Sequence, residues 1–141
     1  MSALQEPMAT GAVFWVPAGW KDGGMVLPAD GHVHSEWSWD APGGSMERTC
    51  ARAIDMGLPA VAFTEHVDYT SSMIQAGDLD EYEHLQPFTT LDGTLTPPTI
   101  DLNGYFACVE LCRDKFPDLR IISGVELGEP HWHSDSASAL L

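Results

Sequence analysis

One short segment, residues 30–40, concentrates side chains that can bind a metal ion. It reads Asp-Gly-His-Val-His-Ser-Glu-Trp-Ser-Trp-Asp and follows an apolar run, residues 25–28, that predicts a buried strand. Side chains alternate along a strand, so His32 and His34 are expected to point the same way. Asp40 lies past a turn and can return a carboxylate to the same place. Zinc and manganese accept these ligands, although two histidines on a surface loop would share this spacing.

Length and charge bound the classes of protein that the chain can belong to. Its 141 residues suffice for one domain with one core. Six Lys and Arg against 21 Asp and Glu give a net charge of -15, which repels phosphate backbones and disfavours nucleic-acid binding. Bound divalent cations would offset part of this charge, while simple solubility is the plainer explanation.

The three cysteines indicate reduced thiols and a cytoplasmic protein, because their number is odd and no secretory context accompanies them. Cys108 and Cys112 stand one helical turn apart, a spacing that suits two buried residues better than a metal site. No apolar run reaches the roughly 20 residues that a membrane span needs. The N-terminus lacks the basic start and apolar core of a signal peptide.

Two regions divide the chain: an irregular, Gly-, Pro- and Ala-rich arm at 1–24 and one domain at 25–141. Aromatic residues of the arm are expected to dock against the body, or alternatively to cover a pocket rim, namely Phe14, Trp15 and Trp20.

Apolar strands and amphipathic helices alternate within the domain, a pattern that predicts a parallel sheet and an α/β fold. A long polar stretch, 67–98, looks like a functional loop or lid. The predicted elements are a strand and its exit loop over 25–34, a helix over 45–56, a strand over 59–64, a helix over 101–116 and a strand over 120–125.

Candidate metal ligands follow each of the three predicted strands, and the carboxyl ends of parallel strands are where such folds build their sites. The coincidence favours a metal site over chance placement. The candidates are His32 and His34 after the first strand, Glu65 and His66 after the second, and Glu126 after the third, followed by Glu129, His131 and His133.

Three segments together resemble the polymerase and histidinol phosphatase (PHP) superfamily, and its histidinol-phosphatase branch in particular. They are residues 30–40, then Ala-Phe-Thr-Glu-His at 62–66, then Gly-Val-Glu-Leu-Gly-Glu-Pro-His-Trp-His at 124–133, in the family's order. The resemblance implies a distorted (β/α)7, TIM-like barrel. It also implies a centre of two or three divalent metals (zinc, manganese or iron) that hydrolyses phosphate esters.

Carried over by motif, the resemblance assigns His32 and His34 to the first metal and makes Glu126 a bridge between the first and second. Asp40 and His66 would hold a third, so Glu126, His66 and Asp40 are the catalytic candidates. Other residues receive weaker assignments: Glu65 would orient a ligand by hydrogen bond, His131 and His133 either face substrate or are ordinary loop residues, and His84 is a solvated side chain.

The resemblance covers about residues 28–133, and the family's later motifs are absent. Since a closed barrel usually needs about 250 residues, we expect 25–141 to be a partial PHP domain, the N-terminal half of an incomplete barrel. Such a chain alone is expected to be marginally folded and a poor phosphatase.

The resemblance implies hydrolysis of L-histidinol phosphate to L-histidinol and phosphate, in histidine biosynthesis. The expected partner is a small-molecule phosphate ester, with no nucleic acid and no membrane. Two alternatives stay open: another PHP phosphoesterase with a different ester substrate, and a truncated, inactive metal-binding fragment.

Overall fold

The structure, a computed structural model, describes residues 27–75 and 77–140. The arm predicted at 1–24, with its aromatic residues, lies outside the described residues. The elements, in chain order, are β1 (Asp30–Val33), α1 (Met46–Asp55), β2 (Ala60–Val67), β3 (Ser72–Met73), α2 (Asp78–Glu81), a 3-10 helix (Glu83–Phe88), β4 (Thr94–Leu95), α3 (Leu102–Lys115), β5 (Arg120–Leu127) and α4 (Ser134–Leu140).

A three-stranded parallel sheet in the order β1-β2-β5 forms the framework. The central strand β2 pairs with β5 in continuous register, from Ala60 beside Arg120 to Val67 beside Leu127. Helices connect the parallel strands, so the predicted α/β fold is confirmed. That this sheet is the N-terminal half of an incomplete, distorted (β/α)7 barrel stays a prediction.

Burial alternates along β2 and separates the two faces of the sheet. Val61, Phe63, Glu65 and Val67 are buried, while the residues between them are partly exposed. Helices α1 and α3 cover the buried face and complete the core with Met46, Cys50, Ala53, Tyr105, Val109 and Cys112. Because neighbouring residues face opposite sides, His66 lies on the face away from the helices.

The two long helices begin and end where the sequence predicts. Ser45 caps α1 by accepting a hydrogen bond from the backbone N–H of Arg48, and Asp101 caps α3 in the same way. Gly57, with a φ of 72°, follows α1 in the left-handed conformation that a glycine favours at a helix end.

The first strand differs from the prediction of a buried strand beginning at residue 25. Within the described residues it begins at Asp30, and its side chains are exposed or only partly buried. Pro28 has no N–H to donate to a ladder, and among residues 27–75 and 77–140 β1 pairs with β2 alone, with an irregular register.

The other two strands extend further than predicted. β2 continues through Glu65 and His66, and β5 continues through Glu126, where predictions ended them at Thr64 and Val125. Polar side chains look like loop in a sequence pattern, but the backbone ladder continues beneath them. His66 and Glu126 therefore lie on paired strand backbone, whereas His34 and Asp40 lie in the loop that follows β1.

Two regions gain structure that the sequence did not predict. The stretch 67–98 contains the antiparallel pair β3 and β4 and two short helices. Small polar residues form α4, which buries Ala137. None of the helices in residues 27–75 and 77–140 has the length and apolarity needed to cross a membrane.

The cysteines belong to the core rather than to a ligand set. Cys50 and Cys112 are buried between α1 and α3. Burial raises the pKa of the Cys112 thiol to about 12 and also raises the pKa of Cys50. These thiols are therefore poor metal ligands at neutral pH. The prediction of two buried residues at 108 and 112 is confirmed for Cys112, whereas Cys108 is only partly buried against the core.

Candidate metal centre

Three side chains converge at the carboxyl end of the sheet and form the first cluster: His32, His34 and Glu126. The Nε2 atoms of the two histidines are 3.0 Å apart. Glu126 Oε2 lies 3.1 Å from Nε2 of His32 and 3.4 Å from Nε2 of His34. These three donor atoms can hold one metal ion between them.

Strand geometry explains this convergence. His32 and His34 are two residues apart at the end of β1, and Glu126 lies near the end of β5. Because β1 and β5 flank β2 on opposite sides, their side chains meet across the end of the central strand.

The donor set of the first cluster fits a divalent cation. Imidazole nitrogen and carboxylate oxygen are zinc and manganese ligands. Within residues 27–75 and 77–140, the ion pairs made by Lys and Arg lie on α3, at Arg113 and Lys115, and none reaches this end of the sheet. Two imidazoles facing a carboxylate without such a partner are suited to a bound metal.

A second cluster lies beside the first and consists of His66, Asp40 and Asp68. His66 Nε2 is 3.3 Å from Asp40 Oδ2, and His66 Nδ1 is 3.4 Å from Asp68 Oδ2. The indole N–H of Trp39 donates to the same Asp68 oxygen at 2.9 Å. The Nε2 atom of His66 therefore faces Asp40, with which it could share a metal ion. Asp68 lies on the opposite, Nδ1 side of the ring.

The two clusters are in direct contact. The rings of His34 and His66 are stacked, with centroids 4.4 Å apart and planes 8° from parallel. Register reinforces this placement, since His66 is the direct neighbour of Glu126 across β2 and β5. The five residues predicted as metal ligands, His32, His34, Asp40, His66 and Glu126, therefore lie in one continuous site.

The loop between β1 and α1 is fastened at several points, which holds the ligands in place. Glu36 accepts a hydrogen bond from the backbone N–H of Met46, the first residue of α1. The Trp37 ring packs so closely on Gly104 of α3 that a side chain at 104 would overlap it. The loop is therefore anchored to both helices that cover the sheet.

Several residues named from the sequence lie outside both clusters. Glu65 is fully buried and bonds to two serines instead. The His133 ring is hydrogen-bonded to the Thr70 hydroxyl at 2.8 Å, and the His84 ring packs edge-on against Tyr82. His131 is exposed and packs beside Trp132. Glu129 has a φ of 47°, a left-handed backbone conformation.

Sequence reasoning missed Asp68 and Trp39. Asp68 stands two residues after His66, so strand alternation was a signal that both belong on one face. Trp39 lies within the 30–40 segment, but nothing in its sequence context indicates a bond to a residue 29 positions away.

We expect Asp68→Asn to weaken metal binding at the second cluster by about 10–100-fold, the usual cost of losing the carboxylate behind a ligating histidine. The amide is isosteric but lacks the negative charge that Asp68 places 3.4 Å from His66 Nδ1. Titration with Co²⁺ or Zn²⁺ against a chelating indicator measures the change. Asp114→Asn on the exposed side of α3 is the matched control. Equal affinities in both variants would contradict the role of Asp68.

Together the fold and the clusters define a parallel α/β domain with a candidate metal centre at its strand ends. The chain belongs to the PHP domain family, because the family model described as PHP domain matches residues 30–141. This confirms the resemblance read from the three sequence segments.

A solved structure shares the fold. It is the histidinol phosphate phosphatase (HisK) from Lactococcus lactis subsp. lactis Il1403, complexed with Zn, L-histidinol and phosphate. The TM-score is 0.54 at 23% identity, over 79% of this chain and 34% of that chain. This chain thus spans about a third of the length of that relative. No curated protein sequence gives a significant match.

Proposed function

We propose that this protein is a metal-dependent phosphomonoesterase that converts L-histidinol phosphate and water into L-histidinol and phosphate, a step of histidine biosynthesis in the cytoplasm. The observation that carries the proposal is the convergence of His32, His34 and Glu126 in a chain of the PHP domain family. The fold shared with a histidinol phosphate phosphatase supports the proposed reaction. The three free cysteines support the proposed cytoplasmic location.

The proposed centre takes two or three divalent ions of zinc, manganese or iron. His32 and His34 would hold the first, Glu126 the first and second, and Asp40 and His66 the third. Divalent metals neutralise phosphate oxygens and lower the pKa of bound water to near neutrality, which is the chemistry that a phosphate ester requires.

The surrounding residues order and shield this centre. Asp68 Oδ2 lies 3.4 Å from His66 Nδ1, and the Trp39 ring lies beside that pair, 6.4 Å from His66 and 6.3 Å from Phe88. An aromatic wall reduces the water at the second cluster and strengthens electrostatic interactions there. The chain thus supplies a set of acidic and imidazole groups, of which those of the second cluster are partly covered.

A cleft beside the second cluster suits a cationic leaving group. It encloses about 270 Å³, and its lining includes Trp39, Asp68, Thr70 and Glu129. Carboxylates and an indole ring attract an ammonium or a protonated imidazole. L-histidinol carries both groups, whereas nucleoside and sugar leaving groups lack the ammonium.

Phosphate release tests this function. The metal-loaded protein is assayed on L-histidinol phosphate, a nucleoside monophosphate, a sugar phosphate and p-nitrophenyl phosphate. We expect low turnover from this partial domain, with its highest kcat/KM on L-histidinol phosphate, loss of activity after chelation, and recovery on addition of zinc, manganese or iron.

Two outcomes of this assay would contradict the proposal in different ways. Preferential hydrolysis of another ester would make the protein a PHP phosphoesterase of different specificity. Stoichiometric metal binding without phosphate release from any ester would make it a metal-binding protein without this activity.

A further inference from the structure

Glu65 is a buried carboxylate whose hydrogen-bonding capacity is used by two serines. Its Oε2 accepts from the backbone N–H of Ser35 at 3.0 Å and from the Ser38 hydroxyl at 2.6 Å. Its Oε1 accepts from the Ser35 hydroxyl at 2.6 Å. Glu65 and Ser35 have no exposed surface and Ser38 is 4% exposed, so water cannot replace these partners.

Ser38 lies at the centre of this arrangement, and its single proton is given to Glu65. Its oxygen can therefore only accept from its other two neighbours. One is the backbone N–H of His66 at 3.0 Å, and the other is Nδ1 of His34 at 3.1 Å. His34 must then carry its proton on Nδ1.

We propose that Glu65 and Ser38 are positioning residues that fix His34 in the Nδ1–H tautomer and leave its Nε2 lone pair directed at the first cluster. The inference deepens the proposed function, since it rests on the metal centre assigned there. Without Glu65, the Ser38 proton would be free to turn to His34 Nδ1, and the Nε2–H tautomer would block the ligand position.

The same hydroxyl connects the two clusters. Ser38 binds the His34 ring of the first cluster and the backbone of His66 in the second. Strand alternation makes this possible: Glu65 faces the buried side of β2 and reaches the loop, while its neighbour His66 faces the site. The adjacent pair Glu65-His66 therefore supplies one orienting group and one candidate ligand.

The tautomer can be observed without metal and without substrate. Long-range ¹H–¹⁵N NMR distinguishes the two nitrogens of each imidazole in the metal-free protein, at a pH well above the ordinary imidazole pKa of about 6.5. We expect the Nδ1–H form for His34 in the wild-type protein. In Ser38→Ala we expect loss of that preference and metal binding weakened by about 10–100-fold at the first cluster.

Two substitutions of Glu65 separate the hydrogen-bonding role from a purely structural one. Glu65→Gln keeps an oxygen that accepts from Ser38 while its amide donates to the Ser35 hydroxyl, so it should retain the tautomer and metal affinity. Glu65→Leu removes the acceptor and should convert His34 to the Nε2–H form. Circular dichroism and thermal unfolding verify that each variant is folded, and the His84 and His131 resonances serve as unchanged references.

The Nε2–H form in the wild-type, metal-free protein would overturn this inference, whichever variants fold. So would an unchanged tautomer and unchanged metal affinity in folded Ser38→Ala. A shift of both, in a protein that releases no phosphate from L-histidinol phosphate, would uphold the positioning role while contradicting only the proposed enzymatic function.

Discussion

The double variant His32→Ala, His34→Ala is expected to lose metal from the first cluster, with an affinity drop above the roughly 10–100-fold that outer partners cause. Two of the three converging donors disappear, which leaves Glu126 as the single remaining donor of that group. Elemental analysis of protein purified from metal-supplemented culture, together with a Zn²⁺ titration, measures the loss.

A matched control keeps the number of histidines equal. His84→Ala, His131→Ala removes two imidazoles that lie outside both clusters, and its metal content should equal that of the wild-type protein. The assignment is wrong if both double variants retain the same metal content. A decrease in both would show that histidines bind metal without a defined site.

The ligand-bearing part of the site was predictable because it depends on local rules. Alternation along a strand places His32 and His34 together, and parallel strands bring their carboxyl ends to one edge of the sheet. Those two rules, with the motif order, predict that His66 and Glu126 lie near the ends of neighbouring strands. The shared register of β2 and β5 then makes them direct neighbours.

The supporting residues were less predictable, because their partners are distant in sequence. Ser38 and Glu65 are 27 positions apart, and Trp39 and Asp68 are 29 apart. A local pattern carries no information about which polar residues will meet across such a separation. These pairs meet because the loop after β1 is packed in place, with Glu36 of the loop accepting a hydrogen bond from the first residue of α1.

The predicted strand boundaries were wrong where polar side chains lie on a backbone that is still paired in the sheet. His66 and Glu126 belong to strands because the ladder continues beneath them, although their side chains suggest loop. The opposite occurred at residues 27–29, where the end of an apolar run predicted a strand and the structure has none before Asp30; residues 25–26 lie outside the described part of the chain. The small, polar residues at 134–140 did not predict α4, whose buried residue is Ala137.

The structure shows where some of the many acidic residues lie. Three carboxylates of the site, Asp40, Asp68 and Glu126, lie close to imidazoles rather than to Lys or Arg. Elsewhere, acidic residues such as Glu47 and Glu110 form ordinary surface ion pairs. Part of the net charge of -15 thus lies where bound cations would offset it, whereas the surface pairs contribute little to stability.

In a completed, active version of the enzyme, Glu126→Gln should produce the largest loss of catalysis, with kcat for L-histidinol phosphate falling by at least about 100-fold, or roughly 2.7 kcal/mol of barrier. The carboxylate contacts both histidines of the first cluster, and the neutral amide would lower the negative charge available to two cations. Thermal unfolding should be nearly unchanged, because Glu126 is 43% exposed. Phosphate release under saturating substrate gives kcat.

Glu129→Gln provides the sharper contrast. Glu129 stands three residues away and lines only the cleft, so its loss should raise KM by less than about tenfold and leave kcat near the wild-type value, the signature of lost uniform binding. Glu110→Gln, on the surface of α3, should change neither constant. Near-normal kcat in Glu126→Gln would refute the bridging role. Equal losses of kcat in Glu126→Gln and Glu129→Gln would show that negative charge in this region, rather than a bridging carboxylate, supports the reaction.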